Sequence, residues 1–285
     1  MNIKVEIALV QMGMGSSQKE NLQKSLKYIR EAAQAGANIV AFPELFLGQY
    51  FPKKKQDPSA KKCAQTIPGS LTEHLGKVAR EHKIVIVGGS VYEQDKGRYY
   101  NTSFVIDSDG KFLGKYRKMH IPHDPSFYEG NYFEPGNIGF QVFKTKFGKI
   151  GVLICYDQWF PEAARSIALA GADIIFYPTA IGFVQGIEQA EGDWVDAWIT
   201  VQRGHAIANS VHIAPINRVG KEDEMTFFGN SFVSGPFGTM LARGSQGKEE
   251  IVYASCDFSQ NELVRKGWRF MDSRRPEQYK TLCKN

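Results

Sequence analysis

The chain carries the same short pattern twice, and this duplication limits the folds that it can adopt. The run Gly36-Ala-Asn-Ile-Val-Ala-Phe-Pro43 is matched by Gly171-Ala-Asp-Ile-Ile-Phe-Tyr-Pro178, and a helical pattern precedes each run. Later, Tyr100-Asn-Thr-Ser-Phe104 is matched by Gly229-Asn-Ser-Phe232. Two halves of similar topology are therefore expected. Since buried strands alternate with helices, we predict an α/β fold, a four-layer α-β-β-α sandwich with an internal pseudo-two-fold duplication.

Size and composition favour one folded unit with a short tail. The 285 residues are 42% hydrophobic and 23% charged, which suffices for a large core and argues against wholesale disorder. We predict a single domain over residues 1–267. The polar stretch 268–285 is predicted to pack on the surface or on a neighbouring subunit.

Charge and hydropathy narrow the range of partners. The net charge of +5 is spread along the chain, and only Lys53-Lys54-Lys55 forms a basic cluster. A nucleic-acid-binding protein would need a basic face with interleaved aromatic residues. No apolar run in the sequence reaches the length that spans a bilayer. We therefore expect a small-molecule partner, and neither nucleic acid nor a membrane.

The cysteines indicate a reducing compartment and no metal. They lie far apart and form no CxxC pair, which argues against a zinc site or a disulfide framework: Cys63, Cys155, Cys256 and Cys283. Residues 5 to 12 have the pattern of a strand and not of a basic, then apolar leader. We expect a cytoplasmic protein without a metal or another cofactor.

One of these cysteines occupies a position suited to chemistry. Ile150 to Ile154 is an unbroken apolar run of strand length, and Pro161 suits the first turn of a helix. Cys155 therefore lies where a strand ends and a helix is about to begin. There the free amide groups and the dipole of the helix would favour a thiolate. An inert cysteine packed in a core would show the same local pattern.

Two charged residues hold comparable positions. Glu44 ends the second predicted strand, and Lys118 follows the hairpin strand that ends near Tyr116. Ligands bind outside the carboxyl ends of strands in open α/β sheets. Each residue alone would ordinarily be a surface charge. A carboxylate base, an ammonium and a thiol at one crevice would instead suit nucleophilic attack on a carbonyl carbon.

The order of three short motifs is more specific than any one of them. Phe42-Pro-Glu-Leu45, Tyr116-Arg-Lys-Met-His-Ile-Pro122 and Cys155-Tyr-Asp-Gln-Trp-Phe-Pro-Glu162 together resemble the nitrilase superfamily, the carbon–nitrogen hydrolases with a Glu-Lys-Cys triad. The likeness runs over nearly the whole chain. It implies Cys155 as nucleophile and Glu44 as base, with Lys118 holding the charge that develops on the carbonyl oxygen.

The resemblance also implies supporting groups around the triad. Glu129, in Phe127-Tyr-Glu-Gly130, matches the second glutamate of the family and would orient Lys118 or help to dock the leaving group. The backbone amide of Tyr156 is the natural second donor to the oxyanion. Tyr50 and Trp159 are expected to wall the substrate channel.

The cysteine motif further suggests a substrate. Together with Phe176-Tyr-Pro-Thr-Ala-Ile-Gly182, it most resembles the branch that hydrolyses N-carbamoylputrescine to putrescine, ammonia and carbon dioxide. Burying an unpaired ammonium is expensive, so the cationic tail of this substrate needs a carboxylate. The candidates in the sequence are Asp124 and Glu188.

Other functions remain open from the sequence. An amidase of the ω-amidase or β-ureidopropionase type would need a basic residue at the far end of the pocket, and Arg203 or Arg218 could supply it. A more distant alternative is a thiol-redox or nucleotide-binding α/β protein, but no GxGxxG motif or P-loop follows the first strand and no resolving cysteine lies near Cys155 in sequence. The resemblance also implies a homo-oligomer, a dimer or higher.

Overall fold

Two large β-sheets form the centre of the molecule, which a computed structural model describes for residues 4–187 and 189–283. In chain order the strands are β1 (Val5–Gln11), β2 (Ile39–Ala41), β3 (Val85–Val87), β4 (Val91–Asp95), β5 (Arg98–Ile106), β6 (Phe112–Arg117), β7 (Val142–Thr145), β8 (Gly148–Val152), β9 (Ile174–Thr179), β10 (Gly182–Val184), β11 (His212–Asn217), β12 (Val219–Glu222), β13 (Met225–Phe228), β14 (Phe232–Ser234), β15 (Met240–Arg243) and β16 (Glu250–Cys256).

The two large sheets share one topology. The first has the order β16-β1-β2-β3-β5-β4, with β6 beside β5, and the second has the order β15-β14-β11-β9-β8-β7. In the first, β1, β2 and β3 are parallel and β5 is antiparallel to β3. In the second, β8, β9 and β11 are parallel and β14 is antiparallel to β11. The predicted duplication is confirmed, because the two repeated runs form the equivalent strands β2 and β9.

Helices cover the outer faces of the sheets. They are α1 (Gln18–Gln34), α2 (Ser70–His82), α3 (Pro161–Leu169), α4 (Trp194–Asn209) and α5 (Ser259–Trp268). In the first half, α1 connects β1 to β2, and α2 lies between β2 and β3 in the chain. In the second half, α3 and α4 occupy the equivalent places, between β8 and β9 and between β9 and β11. Among the described residues, no helix combines the length and the apolar character needed to span a bilayer.

Alternation along β1 shows how the layers pack. Ile7 and Leu9 belong to the core that contains Ile150 of the second sheet, whereas Ala8 and Val10 belong to the core beneath α1 and α2. Successive side chains of a strand point to opposite faces, so one face of the sheet meets the other sheet and one meets helices. The predicted four-layer α-β-β-α arrangement is confirmed.

The chain after α5 runs over the surface. Trp268 stacks on Phe237 at 5.3 Å between ring centroids, and Met271 Sδ lies 2.8 Å from Arg165 Nη1 of α3. The extent of the domain over residues 1–267 and the packing of the tail on another subunit stay predictions.

Candidate active site

Glu44 lies just beyond the end of β2, and its side chain is fully buried. Its Oε1 accepts hydrogen bonds from Asn101 Nδ2 at 2.7 Å and from Lys118 Nζ at 2.8 Å. Its Oε2 is buried and has no hydrogen-bond partner in residues 4–187 and 189–283. One oxygen is thus held in place while the other is open to a proton. Asn101, noted in the sequence only as part of the repeat, is the residue that orients this carboxylate.

Lys118 follows β6 and is also fully buried. Its Nζ donates to Glu44 Oε1 and to both oxygens of Glu129, at 2.8 Å and 2.7 Å. Burial alone would lower the pKa of Lys118, but Glu129 and then Glu44 outweigh it and raise that pKa above its ordinary value. The side chain therefore stays an ammonium between two carboxyl groups.

Glu129 completes this buried charge cluster. Its Oε1 also accepts a hydrogen bond from the Tyr50 hydroxyl at 2.7 Å. Burial and the nearby Glu44 raise the pKa of Glu129 to about 7, against the lowering effect of Lys118. Two carboxyl groups and one ammonium share the site, and the raised pKa of Glu129 comes from its burial and from the nearby Glu44.

Tyr50 does not have the position that the sequence predicted for it. It was expected to wall the substrate channel, but its side chain is fully buried behind Glu129. Its ring packs edge-on against Phe127 and Phe227, each at 6.0 Å between centroids. Its hydroxyl is used to hold Glu129, so its contact is with a charged residue of the site.

Cys155 stands at a sharp turn after β8. Its backbone has a φ of +43°, a conformation that costs free energy for any residue with a side chain and that persists only where the surroundings enforce it. A short 3-10 helix over Cys155–Trp159 follows, and α3 then begins at Pro161 as predicted. The turn leaves the cysteine side chain 7% exposed at the bottom of a cavity.

The expectation that the following helix would favour a thiolate at Cys155 is wrong. Burial and then Glu44 raise the pKa of the Cys155 thiol well above its ordinary value, while Lys118 and the backbone N–H of Ala180 lower it by less. The helix that was expected to favour the anion begins only at Pro161. The thiol is therefore neutral at rest, and a base is needed to ionise it. We call Glu44, Lys118, Glu129 and Cys155 the tetrad.

A cavity of about 360 Å³ opens above Cys155 and Glu129. Its described wall includes three residues that the sequence predicted as substrate contacts: Asp124, Tyr156 and Trp159. Apolar residues form most of the remaining wall: Pro122, Pro125, Phe127, Ile181, Val184, Ile187 and Trp194. The amide of Tyr156 lies in the first turn of the 3-10 helix, where backbone N–H groups have no intrahelical acceptor.

The charged side chains at the outer part of this wall are both acidic. Asp124 and Glu191, which we call the rim carboxylates, are exposed to solvent. No lysine or arginine occurs among the described residues that line the cavity. Arg203 Nε is bonded to the carbonyl oxygen of Gly238 at 2.8 Å, and Arg218 is fully buried in an ion pair with Glu222, so neither takes the position that an acid-tailed substrate would require.

Glu191 was missed from the sequence. Its Oε2 accepts a hydrogen bond from Trp194 Nε1 at 3.1 Å, and its own backbone amide and this indole lower the pKa of the carboxyl group. The group is therefore an anion at neutral pH. The predicted Glu188 lies outside the described residues. A signal was present in the sequence, because Asp193 is a typical N-cap and fixes the start of α4, which brings Trp194 and Glu191 together.

Comparison with known proteins agrees with this geometry. The carbon-nitrogen hydrolase family matches residues 6–266. The N-carbamoylputrescine amidase of Solanum lycopersicum is 41% identical over 99% of this chain and 95% of that protein, and the citrullinase of Francisella tularensis is 38% identical over 98% of both. A crystal structure of a carbon-nitrogen hydrolase from Helicobacter pylori G27 superposes with a TM-score of 0.94 at 38% identity, over 99% of each chain. This chain therefore belongs to the carbon-nitrogen hydrolases of the nitrilase superfamily.

Proposed function

We propose that the protein hydrolyses N-carbamoylputrescine to putrescine, ammonia and carbon dioxide. The observation that carries this proposal is the negative charge at the cavity rim, where Asp124 and Glu191 would contact the ammonium of the substrate. The apolar wall between the rim and Cys155 suits the four-carbon chain of putrescine. The likeness to plant N-carbamoylputrescine amidases over nearly the full length supports the same substrate.

In the proposed first step, the Cys155 sulfur attacks the carbonyl carbon while its proton passes to Glu44 Oε2. The base is required because burial raises the pKa of the thiol. Negative charge then develops on the carbonyl oxygen, where Lys118 Nζ and the backbone N–H of Tyr156 would donate hydrogen bonds. One such donor typically lowers the barrier by about 3 kcal/mol.

In the next steps the carbamoyl group passes from nitrogen to sulfur and then to water. Glu44 returns its proton to the leaving nitrogen, the C–N bond breaks, and putrescine departs while the carbamoyl group stays on Cys155. Water then gives one proton to Glu44 as its oxygen adds to the carbonyl carbon. The C–S bond breaks, the thiol regains its proton, and the released carbamic acid decomposes to ammonia and carbon dioxide.

Citrulline is the most informative competing substrate. It carries the same ureido group and an ammonium, but it adds a carboxylate next to that ammonium. With two rim carboxylates and no cationic residue in the described wall, the added carboxylate would be left without a partner. An unpaired charge of this kind costs enough to lower kcat/KM by about ten-fold or more.

The deciding experiment compares one substrate with a cationic tail, one with a zwitterionic tail and two with acidic tails. Ammonia release is measured with N-carbamoylputrescine, citrulline, N-carbamoyl-β-alanine and glutaramate, and we expect N-carbamoylputrescine to have the highest kcat/KM. Preference for citrulline or for either acid-tailed compound would discard the polyamine assignment. Cys155→Ala, with its fold checked by circular dichroism, is expected to release no ammonia, and turnover by this variant would discard the covalent mechanism.

We also propose that the chain acts in the cytoplasm as a homo-oligomer, with residues 268–285 at a subunit interface. Large apolar side chains near the end of the chain are exposed, among them Leu263 at 73% and Trp268 at 59%. Burial of such side chains is a common reason for association. Light scattering of the full chain and of Trp268→Ser tests this, and a monomeric wild-type protein would contradict it.

A further inference from the structure

A buried carboxylate outside the tetrad connects the two segments that carry Lys118 and Cys155. Asp157 is fully buried. Its Oδ2 accepts hydrogen bonds from the Tyr116 hydroxyl at 2.8 Å and from Ile154 N at 2.9 Å. Its Oδ1 accepts from His120 N at 3.0 Å and lies 2.7 Å from His120 Nδ1. Four contacts thus converge on one side chain that takes no part in the proposed reaction.

The partners of Asp157 lie next to two residues of the tetrad in the sequence. Tyr116 and His120 flank Lys118, each two residues away, while Ile154 directly precedes Cys155. The same carboxylate therefore holds both sides of the lysine and the backbone that leads into the cysteine turn. One buried carboxylate thus contacts both the segment that carries the ammonium and the segment that carries the sulfur.

We propose that Asp157 is a positioning residue that sets the distance and direction of the Lys118 ammonium relative to the Cys155 sulfur. This inference rests on the proposed roles of those two residues. During attack, the carbonyl oxygen must lie against the ammonium while the carbonyl carbon lies against the sulfur. A displacement of about 1 Å between such groups can lower a rate by about 100-fold.

The turn at Cys155 supplies a second reason for such an anchor. A φ of +43° is unfavourable for a cysteine, so neighbouring contacts must hold the turn. The bond from Ile154 N to Asp157 Oδ2 closes that turn from within. A loss of this bond would release the residue that carries the sulfur as well as the segment that carries Lys118.

His120 holds Asp157 through its side chain as well as through its backbone N–H. Its Nδ1 must carry a hydrogen, since the Asp157 oxygen that it faces is an acceptor. The ring also lies flat on Phe160, with 3.7 Å between centroids and 6° between planes. Phe160 directly precedes α3, so the stack fastens the lysine segment to the start of that helix as well.

The test separates positioning from a purely structural role. Asp157→Asn keeps the size of the side chain but places an NH2 group among four donors, so at least one hydrogen bond is replaced by repulsion. Turnover is divided by the concentration of folded protein, which urea unfolding followed by circular dichroism gives for each variant. This ratio counts only folded sites. We expect kcat per site to fall by about 100-fold and KM to change by less than about three-fold.

A matched control is available at the other end of β8. Asp173 Oδ2 accepts a hydrogen bond from Lys149 N at 2.8 Å, far along the strand from Cys155. Asp173→Asn is expected to lower the melting temperature and to leave kcat per site within about two-fold of wild type. Asp157→Asn with a kcat per site equally close to wild type would overturn the positioning role.

Two milder variants keep the test decisive should Asp157→Asn fail to fold. Tyr116→Phe removes the hydrogen bond to Asp157 Oδ2 and the longer one that the hydroxyl accepts from Met119 N, and we expect kcat per site to fall by about five-fold. His120→Ala is expected to lower kcat by a similar factor, and His120→Asn, which restores a donor near the Nδ1 position, is expected to recover most of it. Unchanged kcat in both Tyr116→Phe and His120→Ala would refute the proposal. A wild-type protein that turns over no amide or carbamoyl substrate would instead refute the proposed function.

Discussion

The tetrad and the rim carboxylates are built in different ways, although Glu129 and Cys155 of the tetrad line the same cavity as Asp124 and Glu191. Glu44, Lys118 and Glu129 are fully buried and bonded to one another, whereas Asp124 and Glu191 are exposed. The tetrad is carried mainly by the ends of strands, and the rim by loops. The contrast indicates that bond breaking depends on fixed, buried charges, while substrate choice depends on groups that can vary without disturbing the sheets.

Burial also changes the free-energy cost of removing the partner of a charge. A charge with its partner removed inside a protein costs about 3–5 kcal/mol, whereas an exposed charge is screened by water and salt. We therefore expect substitutions in the tetrad to lower kcat and often stability, and substitutions at the rim to change KM alone. The following predictions can break or sharpen this division.

Among variants that keep the Cys155 nucleophile, the largest effect is expected for Lys118→Met. The variant keeps the length of the side chain but removes the proposed donor to the oxyanion and leaves Glu44 and Glu129 without their shared cation. We expect kcat to fall by about 10³-fold or more, measured as ammonia release at saturating substrate.

Lys115→Met is the matched control for this change. Lys115 also forms an ion pair with a buried carboxylate, that of Glu93, but it lies outside the cavity wall in the described chain. Its loss should reduce stability and leave kcat within about three-fold of wild type. Equal losses of kcat in Lys118→Met and Lys115→Met would show that stability, and not chemistry, limits both variants.

The second effect concerns the pH dependence of stability. The pKa of Glu129 is raised from 4.5 to about 7 in the folded protein, chiefly by burial. Between these values Glu129 binds more protons in the folded state than in the unfolded state, so its contribution to stability falls as pH rises. Glu129→Gln should remove this decline, as measured by urea unfolding between pH 5 and 8.

Glu93→Gln provides the opposite case. Burial would raise the pKa of Glu93, but Arg117 and Lys115 outweigh it and lower that pKa. The stability that Glu93 contributes is therefore present at neutral pH and lost only as the pH falls below about 4.5. Glu93→Gln should leave the slope between pH 5 and 8 unchanged, and a slope that persists in Glu129→Gln would contradict the raised pKa.

The same division explains how far the sequence could predict the molecule. The repeated run before Pro43 and Pro178 predicted two equivalent sheets, because strand patterns and helix stops are local features. Glu44, Lys118 and Cys155 could be chosen because each follows a strand and stands in a specific motif. The motifs predicted Glu44 as the base for Cys155, but they could not show that burial and Glu44, which is remote in sequence, raise the pKa of the thiol well above its ordinary value.

The sequence also could not predict the roles of residues whose contacts come from distant segments of the chain. Asp157 stood in the cysteine motif, but its partners Tyr116 and His120 come from another part of the chain. Glu191 lies in an irregular loop, and although the Asp193 N-cap placed it just before α4, nothing in the sequence showed that this loop lines the cavity. Tyr50 was chosen for its closeness to Glu44 in sequence, yet the fold turned its hydroxyl towards Glu129.

At the rim, Glu191→Gln should weaken recognition of the cationic tail. We expect KM for N-carbamoylputrescine to rise by about five-fold with kcat unchanged, and the effect should shrink as salt is added. Butylurea, which has the same ureido group on an uncharged chain, serves as the control substrate, and its KM should not change. A fall in kcat for both compounds would place Glu191 with the tetrad and break the proposed division.

Asp124→Asn tests whether the two rim carboxylates act together. Asp124 lies in a different loop from Glu191, and both line the same cavity. If each carboxylate contributes separately to holding one ammonium, Asp124→Asn alone should also raise KM by about five-fold. The two effects should then multiply to a rise in KM of about 25-fold in the double variant. A double variant no weaker than Glu191→Gln would show that Asp124 does not contact the substrate.

The smallest effect is expected for Trp194→Phe. The indole N–H of Trp194 donates to Glu191 Oε2 at 3.1 Å and helps to keep this carboxyl group ionised. Phenylalanine preserves a ring against Phe183, whose centroid lies 6.4 Å away, and removes only the donor. Because Glu191 is exposed and water can replace the lost hydrogen bond, KM for N-carbamoylputrescine should rise by about two-fold, less than in Glu191→Gln. A larger rise, shared by butylurea, would mean that Trp194 acts through packing of the apolar wall and that the rim is less separable from the cavity than its exposure indicates.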